Sequence, residues 1–306
     1  MKVALHKRLL TTASALTLAA CTFSQAQAGG LDTMKPAMAE PLPGITAVMS
    51  MWAAGYHLDS GDNDFDGDNY FTFGGDARIA NENYIIELLA AQIQDTSSAS
   101  GTSEASQHFA LAGHWLHRRP DQTIGLFAGM SGTGAQDSSK SWAHLFGGVE
   151  AALFRGDKTY FGQTGFISSI HGEETDTWNG GFIRGGARFF HTNQSKVEVD
   201  LLIGFGTFDH SSDDGYTAAW GLEYERQLGI GSPYSFFTAY RGHYVEDSGG
   251  CEESCDESAT DHGFIFGFRI HTTGSTAPSL RERDRTGATT FNAPDTHRAI
   301  AWPEDL

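Results

Sequence analysis

The sequence predicts an all-β fold, a transmembrane antiparallel up-and-down β-barrel of about 12 strands. Segments in which polar and apolar residues alternate follow one another from residue 43 to residue 272. The connections between them are alternately long and acidic or short and turn-forming. Long loops on one side and short turns on the other are typical of barrels that cross a membrane.

One segment shows the alternation clearly. Leu145, Val149 and Leu153 share one parity, while His144 and Glu150 share the other. Such a strand has one face for lipid and one for the barrel interior. The predicted strands cover residues 43–58, 67–79, 83–93, 106–118, 122–132, 141–154, 158–171, 177–191, 196–208, 216–228, 234–245 and 261–272.

Alternation alone would also fit a secreted β-sandwich or a soluble barrel, but these segments exceed the usual sandwich strand of about five or six residues. The connections favour the membrane barrel. The long acidic ones are 59–66, 95–101, 134–140, 173–176, 209–215 and 246–260, and the short ones are 81–83, 119–121, 155–157, 193–195 and 229–233. We therefore expect the loops around Asp64, Ser98 and Glu253 to be extracellular, and the turn at Asn193 to be periplasmic.

The first residues predict export. Lys2, Lys7 and Arg8 precede a short apolar run, as in a secretory signal peptide. Ala28 ends a small-residue cleavage site, whereas Cys21 follows a sequence that also fits lipoprotein processing, so both cleavages stay open. The predicted organisation is a signal peptide over 1–28, a periplasmic N-terminal segment over 29–42, the barrel over 43–272 and a periplasmic C-terminal tail over 273–306.

Charge and cysteine content narrow the possible functions. The formal net charge of −18 makes nucleic acid an improbable partner. Cys251 and Cys255 are an even pair in an exported chain, which favours a disulfide. Their flanks supply Glu and Asp rather than further Cys or His, which makes zinc the weaker interpretation.

The last predicted strand carries a sequence motif that bears on the location of the protein. Asp261, Gly263, Phe266 and Phe268 form a pattern that resembles the insertion signal of bacterial outer-membrane β-barrel proteins, the porin-like superfamily. The resemblance implies a Gram-negative outer-membrane location, insertion by the barrel-insertion machinery, and contact with outer-membrane lipid and lipopolysaccharide. Barrels of this superfamily often end at the final aromatic residue, whereas this chain continues to residue 306.

Parity directs a set of charged residues into the lumen. Pairing across the turn at Asn193 sets Arg188 opposite Asp200, with Glu198 one step away. Either a salt-bridged network fills a narrow barrel, or these groups line a wet channel. The set is Arg78, Glu87, Glu150, Arg184, Arg188, Glu198, Asp200, Glu223, Glu225, Arg241 and Arg269.

Two further clusters are candidate functional sites. His144, Ser169 and His171 are predicted to meet at the extracellular mouth, where they are mouth-lining polar residues or, less favoured because no acid accompanies them, part of a lipid esterase. Asp62, Asp64, Asp66 and Asp68 resemble the start of a calcium loop, but its twelfth position would be Phe73. An acidic loop with at most loose Ca²⁺ or Mg²⁺ binding is the favoured interpretation.

These observations predict a passive channel for small hydrophilic solutes, with no enzymatic activity and no cofactor. The alternative is a closed structural or surface-recognition barrel that acts through its loops. The tail carries Arg281, Arg283 and Arg285. It is either a periplasmic extension that touches nothing or a plug whose arginines meet lumen carboxylates. The sequence predicts no oligomeric state.

The cysteine pair leads to a first prediction. Cys251 and Cys255 should be joined in the exported protein, so alkylation without reductant should leave the intact mass unchanged, and alkylation after reduction should add two groups. The loop that the bridge closes is short, so the Cys251→Ser, Cys255→Ser variant should remain folded. A mass increase without reductant would show free thiols and contradict the bridge.

Overall fold

The structure, a computed structural model, describes residues 44–60, 68–95, 105–135, 141–172, 178–208, 214–247, 257–272 and 279–294. Within these ranges there are twelve strands and one helix. The strands are β1 Thr46–Ser60, β2 Asp68–Ala80, β3 Tyr84–Asp95, β4 Ala105–Arg118, β5 Gln122–Ala135, β6 Ser141–Arg155, β7 Lys158–Gly172, β8 Trp178–Thr192, β9 Ser195–Phe208, β10 Asp214–Gln227, β11 Tyr234–Asp247 and β12 Glu257–Thr272, and the helix, α1, is Leu280–Thr286.

The strands form one closed antiparallel barrel. Each pairs with its neighbours along the chain, and β1 pairs with β12 over a register that runs from Ala47↔Thr272 to Ser60↔Ala259. Closure leaves no unpaired edge strand, which is what a lipid environment requires of a sheet. The predicted fold class and strand number are confirmed.

The barrel has two unlike ends. We call the end with the connections at 81–83, 119–121, 156–157, 193–194 and 228–233 the short-turn end, and the other the long-loop end. Gly156 and Gly231, with φ of 60° and 72°, make the left-handed turns that two of the short connections need. Toward the long-loop end the strands extend beyond their predicted limits: β11 ends at Asp247 and β12 begins at Glu257 because cross-strand pairing continues.

Alternation along each strand separates an apolar outside from a polar inside. In β8, Ile183 is 66% exposed, whereas its neighbour Arg184 is buried. In β12, Phe266 and Phe268 are exposed on the outside while Asp261 is buried inside. An apolar outer surface on a closed barrel is what insertion into lipid demands. Among the described residues, no helix has the length and apolar character to cross a membrane.

Several positions named in the sequence analysis lie outside the described residues. They are residues 1–43, the cysteines Cys251 and Cys255, and the loop acids Asp62, Asp64 and Asp66. Asp68 begins β2, but its side chain is outside the described part. The export signal, the disulfide and loose divalent-cation binding therefore stay predictions.

Close approach between β6 and β7 gives a test of the packing. A Cβ atom at Gly148 would meet the carbonyl oxygen of Thr164, a backbone atom that cannot rotate away. Gly148→Val should therefore lower the free energy of unfolding by about 2 kcal/mol or more. The matched control is Gly113→Val, where nothing lies within 4 Å of the added atom. Urea unfolding in detergent micelles would measure both, and equal midpoints would contradict the packing.

Candidate functional site in the barrel lumen

The candidate site is the lumen, where charged side chains meet in ion pairs. The eleven residues predicted there all lie on inward faces, and nine of them are buried. Asp200 and Arg241 are partly buried, and the side chain of Arg241 is 20% exposed. The barrel therefore removes most of these charges from water, which is tolerable only when each has partners.

The largest cluster joins β9, β10 and β12. The Arg269 guanidinium lies 2.6 Å from a carboxylate oxygen of Glu223 and 2.6 Å from one of Glu225. Lys196 contacts Glu198, Glu223 and Glu225 at 3.2 to 3.4 Å. Arg269 also stacks over Phe237 at 4.0 Å from the ring centre. Three carboxylates thus share two cations inside the wall.

A second cluster corrects the predicted pairing of Arg188. The register sets Arg188 opposite Glu198 and Gly186 opposite Asp200, with an irregularity between Phe189 and Thr192 near the turn. Arg188 accordingly binds Glu198 at 2.9 Å. Asp200 is held instead by Arg184 at 3.0 Å and Arg241 at 2.7 Å. The predicted cross-strand pairing assumed a regular hairpin, and the irregularity shifted it.

A third cluster centres on a histidine. His114 lies between Glu150, at 2.9 Å, and Glu87, at 3.8 Å. Gln163 donates to Glu150 at 2.9 Å, and Arg78 binds Asp76 at 3.2 Å. His114, Lys196, Asp76 and Gln163 were missed from the sequence, although each has the inward parity of its strand. A single polar residue on the inward face of a strand does not reveal from sequence which residues of other strands it will contact.

The described part of the tail lies inside the barrel at its short-turn end. Helix α1 begins with a capping box in which Ser279 and Glu282 satisfy each other's backbone N–H groups. The Leu280 N–H donates to the Asn193 carbonyl at 3.0 Å, and Arg283 donates to the Ser232 carbonyl at 3.3 Å. Burial lowers the pKa of the Arg283 guanidinium to about 10, so it remains cationic at neutral pH.

The buried ion pair between tail and barrel is formed by a carboxylate of the tail. Asp284 accepts from Arg188 at 2.7 Å and from Thr159 at 2.6 Å, and all three side chains are buried. This reverses the predicted polarity, in which tail arginines met lumen carboxylates. The barrel carboxylates already have barrel cations, so the position left for the tail is one that needs an anion.

Beyond α1 the chain runs up into the lumen. Phe291 is 1% exposed and stacks on His114 with ring centres 6.4 Å apart. The Ala293 N–H donates to Glu87 at 2.7 Å, and the Asn292 carbonyl accepts from Gln163 at 3.0 Å. This placement differs from an extension that touches nothing. The segment at residues 279–294 is called the plug below.

The remaining lumen is divided between apolar packing and a cavity. One cluster brings together Phe127, Phe146, Ile167 and Phe182, with other inward residues of the strands. A second packs Ala288 and Phe291 of the plug against the wall. A cavity of about 190 Å³ remains, and its lining includes Trp52, Tyr56, Arg241, Arg188 and the plug residue Asn292.

The predicted mouth cluster is only partly assembled in the described structure. His144 pairs with Ser169 across β6 and β7, as predicted, and is buried. His171 pairs with Ala143 beyond a bulge, and its side chain lies outside the described part. The pairing of His144 with Ser169 brings a base near a hydroxyl, but an esterase also needs an acid that orients the base, and this pair does not itself supply one.

A different Ser, His and acid do meet at the short-turn end. Ser235 Oγ lies 3.1 Å from Nε2 of His271, and a Glu225 oxygen lies 3.1 Å from that same nitrogen. In a catalytic triad the acid orients the base through its other ring nitrogen. The arrangement is therefore that of a structural network.

No group of three or more potential metal ligands occurs among the residues described.

The comparisons with known proteins agree with this fold. No protein-family profile and no curated protein matches the sequence. The chain is similar to an outer membrane channel from Pseudomonas putida F1, with a TM-score of 0.52 and 9% identity over 78% of this chain and 100% of that one. It is also similar to the KdgM porin, with a TM-score of 0.43 and 8% identity over 72% and 98% of the two chains. The chain thus has the fold of outer-membrane β-barrel channels.

Ion pairing in the lumen leads to a stability prediction. Arg269→Gln would leave Glu223 and Glu225 without their closest cation, and should lower the free energy of unfolding by about 3 kcal/mol. The matched control is Arg155→Gln, because Arg155 and its partner Asp121 are 60% and 61% exposed at 3.8 Å. Loss of that pair should cost less than about 1 kcal/mol. Equal losses in urea unfolding would refute a structural role for the lumen network.

Proposed function

We propose that the protein is an outer-membrane channel for small hydrophilic solutes, and that its own plug closes the lumen. The fold shared with outer-membrane channels supports the location and the general function. The observation that carries the proposal is the buried contact of Asp284 with Arg188 and Thr159, which holds the tail inside the barrel.

The proposed mechanism follows from where the contacts lie. The plug is bound at the short-turn end through Asn193, Ser232 and Arg118. Above it lies the cavity of about 190 Å³, lined by charged groups of both signs that can bind polar solutes. Departure of the plug would join this cavity to the short-turn opening. Passage therefore depends on an equilibrium between bound and released tail.

A closed structural or surface-recognition barrel is the second candidate. The apolar cluster around Phe127, Phe146 and Phe182 favours it, because these rings occupy lumen space that the plug does not fill. Under this alternative the plug completes the interior of a barrel that never conducts. A lipid esterase at His144 and Ser169 would need an acid beside the histidine.

Planar-bilayer recordings would separate the channel from the closed barrel. We expect a chain that ends at Thr272 to show at least severalfold higher single-channel conductance than the full chain. A reversible lock tests the same idea in the full chain: with Asn193→Cys and Leu280→Cys, oxidation should keep the tail bound and conductance low. These positions are joined by a 3.0 Å backbone hydrogen bond, so a disulfide is within reach.

The lock needs a clean background and a matched control. Cys251 and Cys255 are changed to Ser in both proteins, and the control carries Leu280→Cys alone. Reductant should restore channel opening in the locked protein and leave the control unchanged. Equal and negligible conductance with and without residues 273–306 would contradict the channel and favour the closed barrel.

A further inference from the structure

We infer that Arg118, Thr159 and Arg188 form a binding site for the carboxylate group of a small solute, and that such solutes release the plug by displacing Asp284. These three residues are called the carboxylate subsite. The inference rests on the proposed function, since it names the solute class that opens the channel.

The carboxylate of Asp284 serves as a stand-in for that solute. Its Oδ1 accepts from Arg188 at 2.7 Å, and its Oδ2 accepts from the Thr159 hydroxyl at 2.6 Å. Arg188 is 2% exposed, Asp284 is 2% exposed and Thr159 is fully buried. One cation and one hydroxyl, aimed at the two oxygens of one carboxylate, are typical of sites that recognise this group.

Arg118 is a second cation that binds the plug, at the residue that follows Asp284 in the chain. It donates to the carbonyls of Arg285 and Gly287 at 3.1 and 3.2 Å, and to the Thr290 hydroxyl at 2.8 Å. All three acceptors are neutral and all belong to the plug. When the plug leaves, Arg118 retains its bond to the Glu82 carbonyl, at 3.0 Å, and loses the others.

Release of the plug would therefore remove the tail carboxylate that Arg188 binds. Arg188 would still have Glu198, but Glu198 is shared with Lys196 at 3.2 Å. Arg118 and Arg188 together would face the space that Asp284 had occupied. An entering anion that takes the place of Asp284 beside Arg188 therefore lowers the free energy of the released state. A neutral solute of the same shape has no such effect.

A solute inside the lumen can approach this subsite. The lining of the cavity of about 190 Å³ includes Arg188 of the subsite together with Asn292 and Ala293 of the plug, whereas Arg118 and Thr159 are reached only once Asp284 has left. Its volume suits a small carboxylic acid rather than a large one. A carboxylate in the cavity thus reaches the same guanidinium that holds Asp284.

The test measures how readily the tail of the full chain is released. Trypsin cleaves after Arg283 and Arg285, which are held within the plug, so the rate of cleavage at these two sites, followed by mass spectrometry, tracks the released population. Acetate is substituted for chloride at constant ionic strength and pH, and acetamide is the neutral probe of similar shape. Acetate should accelerate tail cleavage at least severalfold, and acetamide should not.

Two variants of the full chain assign the effect to the subsite. Asp284→Asn should speed cleavage about tenfold without acetate, because it removes a charge-assisted contact, and acetate should then add little. The matched control is Glu282→Gln, which makes the same charge change on the same helix at a carboxylate bonded to Ser279 rather than to the barrel. This control should still respond to acetate.

The outcomes separate this inference from the proposed function. If Asp284→Asn speeds cleavage but acetate has no effect on the unaltered chain, the contact only holds the tail and the inference is wrong, while the channel stands. An equal response to acetamide would also overturn it. If the chain ending at Thr272 does not conduct, the proposed function fails whatever acetate does to cleavage.

Discussion

Burial of charge inside a closed barrel is the constraint on which the rest of this structure depends. Closing twelve strands into one sheet satisfies the backbone, and inward side chains together with the plug bury much of the lumen. Charged side chains on the inward faces must then find partners within the wall. Arg269 with Glu223 and Glu225, and Asp200 with Arg184 and Arg241, are the result. These pairs fix side chains across strands that are distant in sequence.

The same constraint explains why the tail is bound by its acid. Barrel carboxylates have barrel cations, whereas Arg188 keeps a donor for one more anion and Arg118 has donors for several oxygens. Asp284 supplies that anion, and Phe291 fills the apolar space beside His114. In the proposed mechanism, a competing carboxylate binds the donors that hold Asp284 and so releases the tail.

Prediction from the sequence succeeded for properties that depend on one strand alone, such as the face on which a side chain lies. Parity put Glu198 and Asp200 inside and Val199 and Leu201 outside, since successive side chains point to opposite faces. It was wrong where two strands had to be aligned: Arg188 faces Glu198 rather than Asp200, because the hairpin after β8 is irregular. It also missed His114 and Lys196, whose importance depends on neighbours contributed by other strands.

The amino-acid sequence by itself determined the fold class, the number of strands, the inward parity and the two unlike ends of the barrel, because alternation and turn chemistry are local properties. Only the tertiary structure decided which charges pair. It also decided that a carboxylate of the tail, rather than an arginine, forms the buried ion pair with the barrel. The sequence suggested tail arginines against lumen carboxylates, yet Asp284 meets Arg188 and Thr159. Ion pairing in a closed space depends on which partners remain free after the wall has paired, and that depends on the whole barrel.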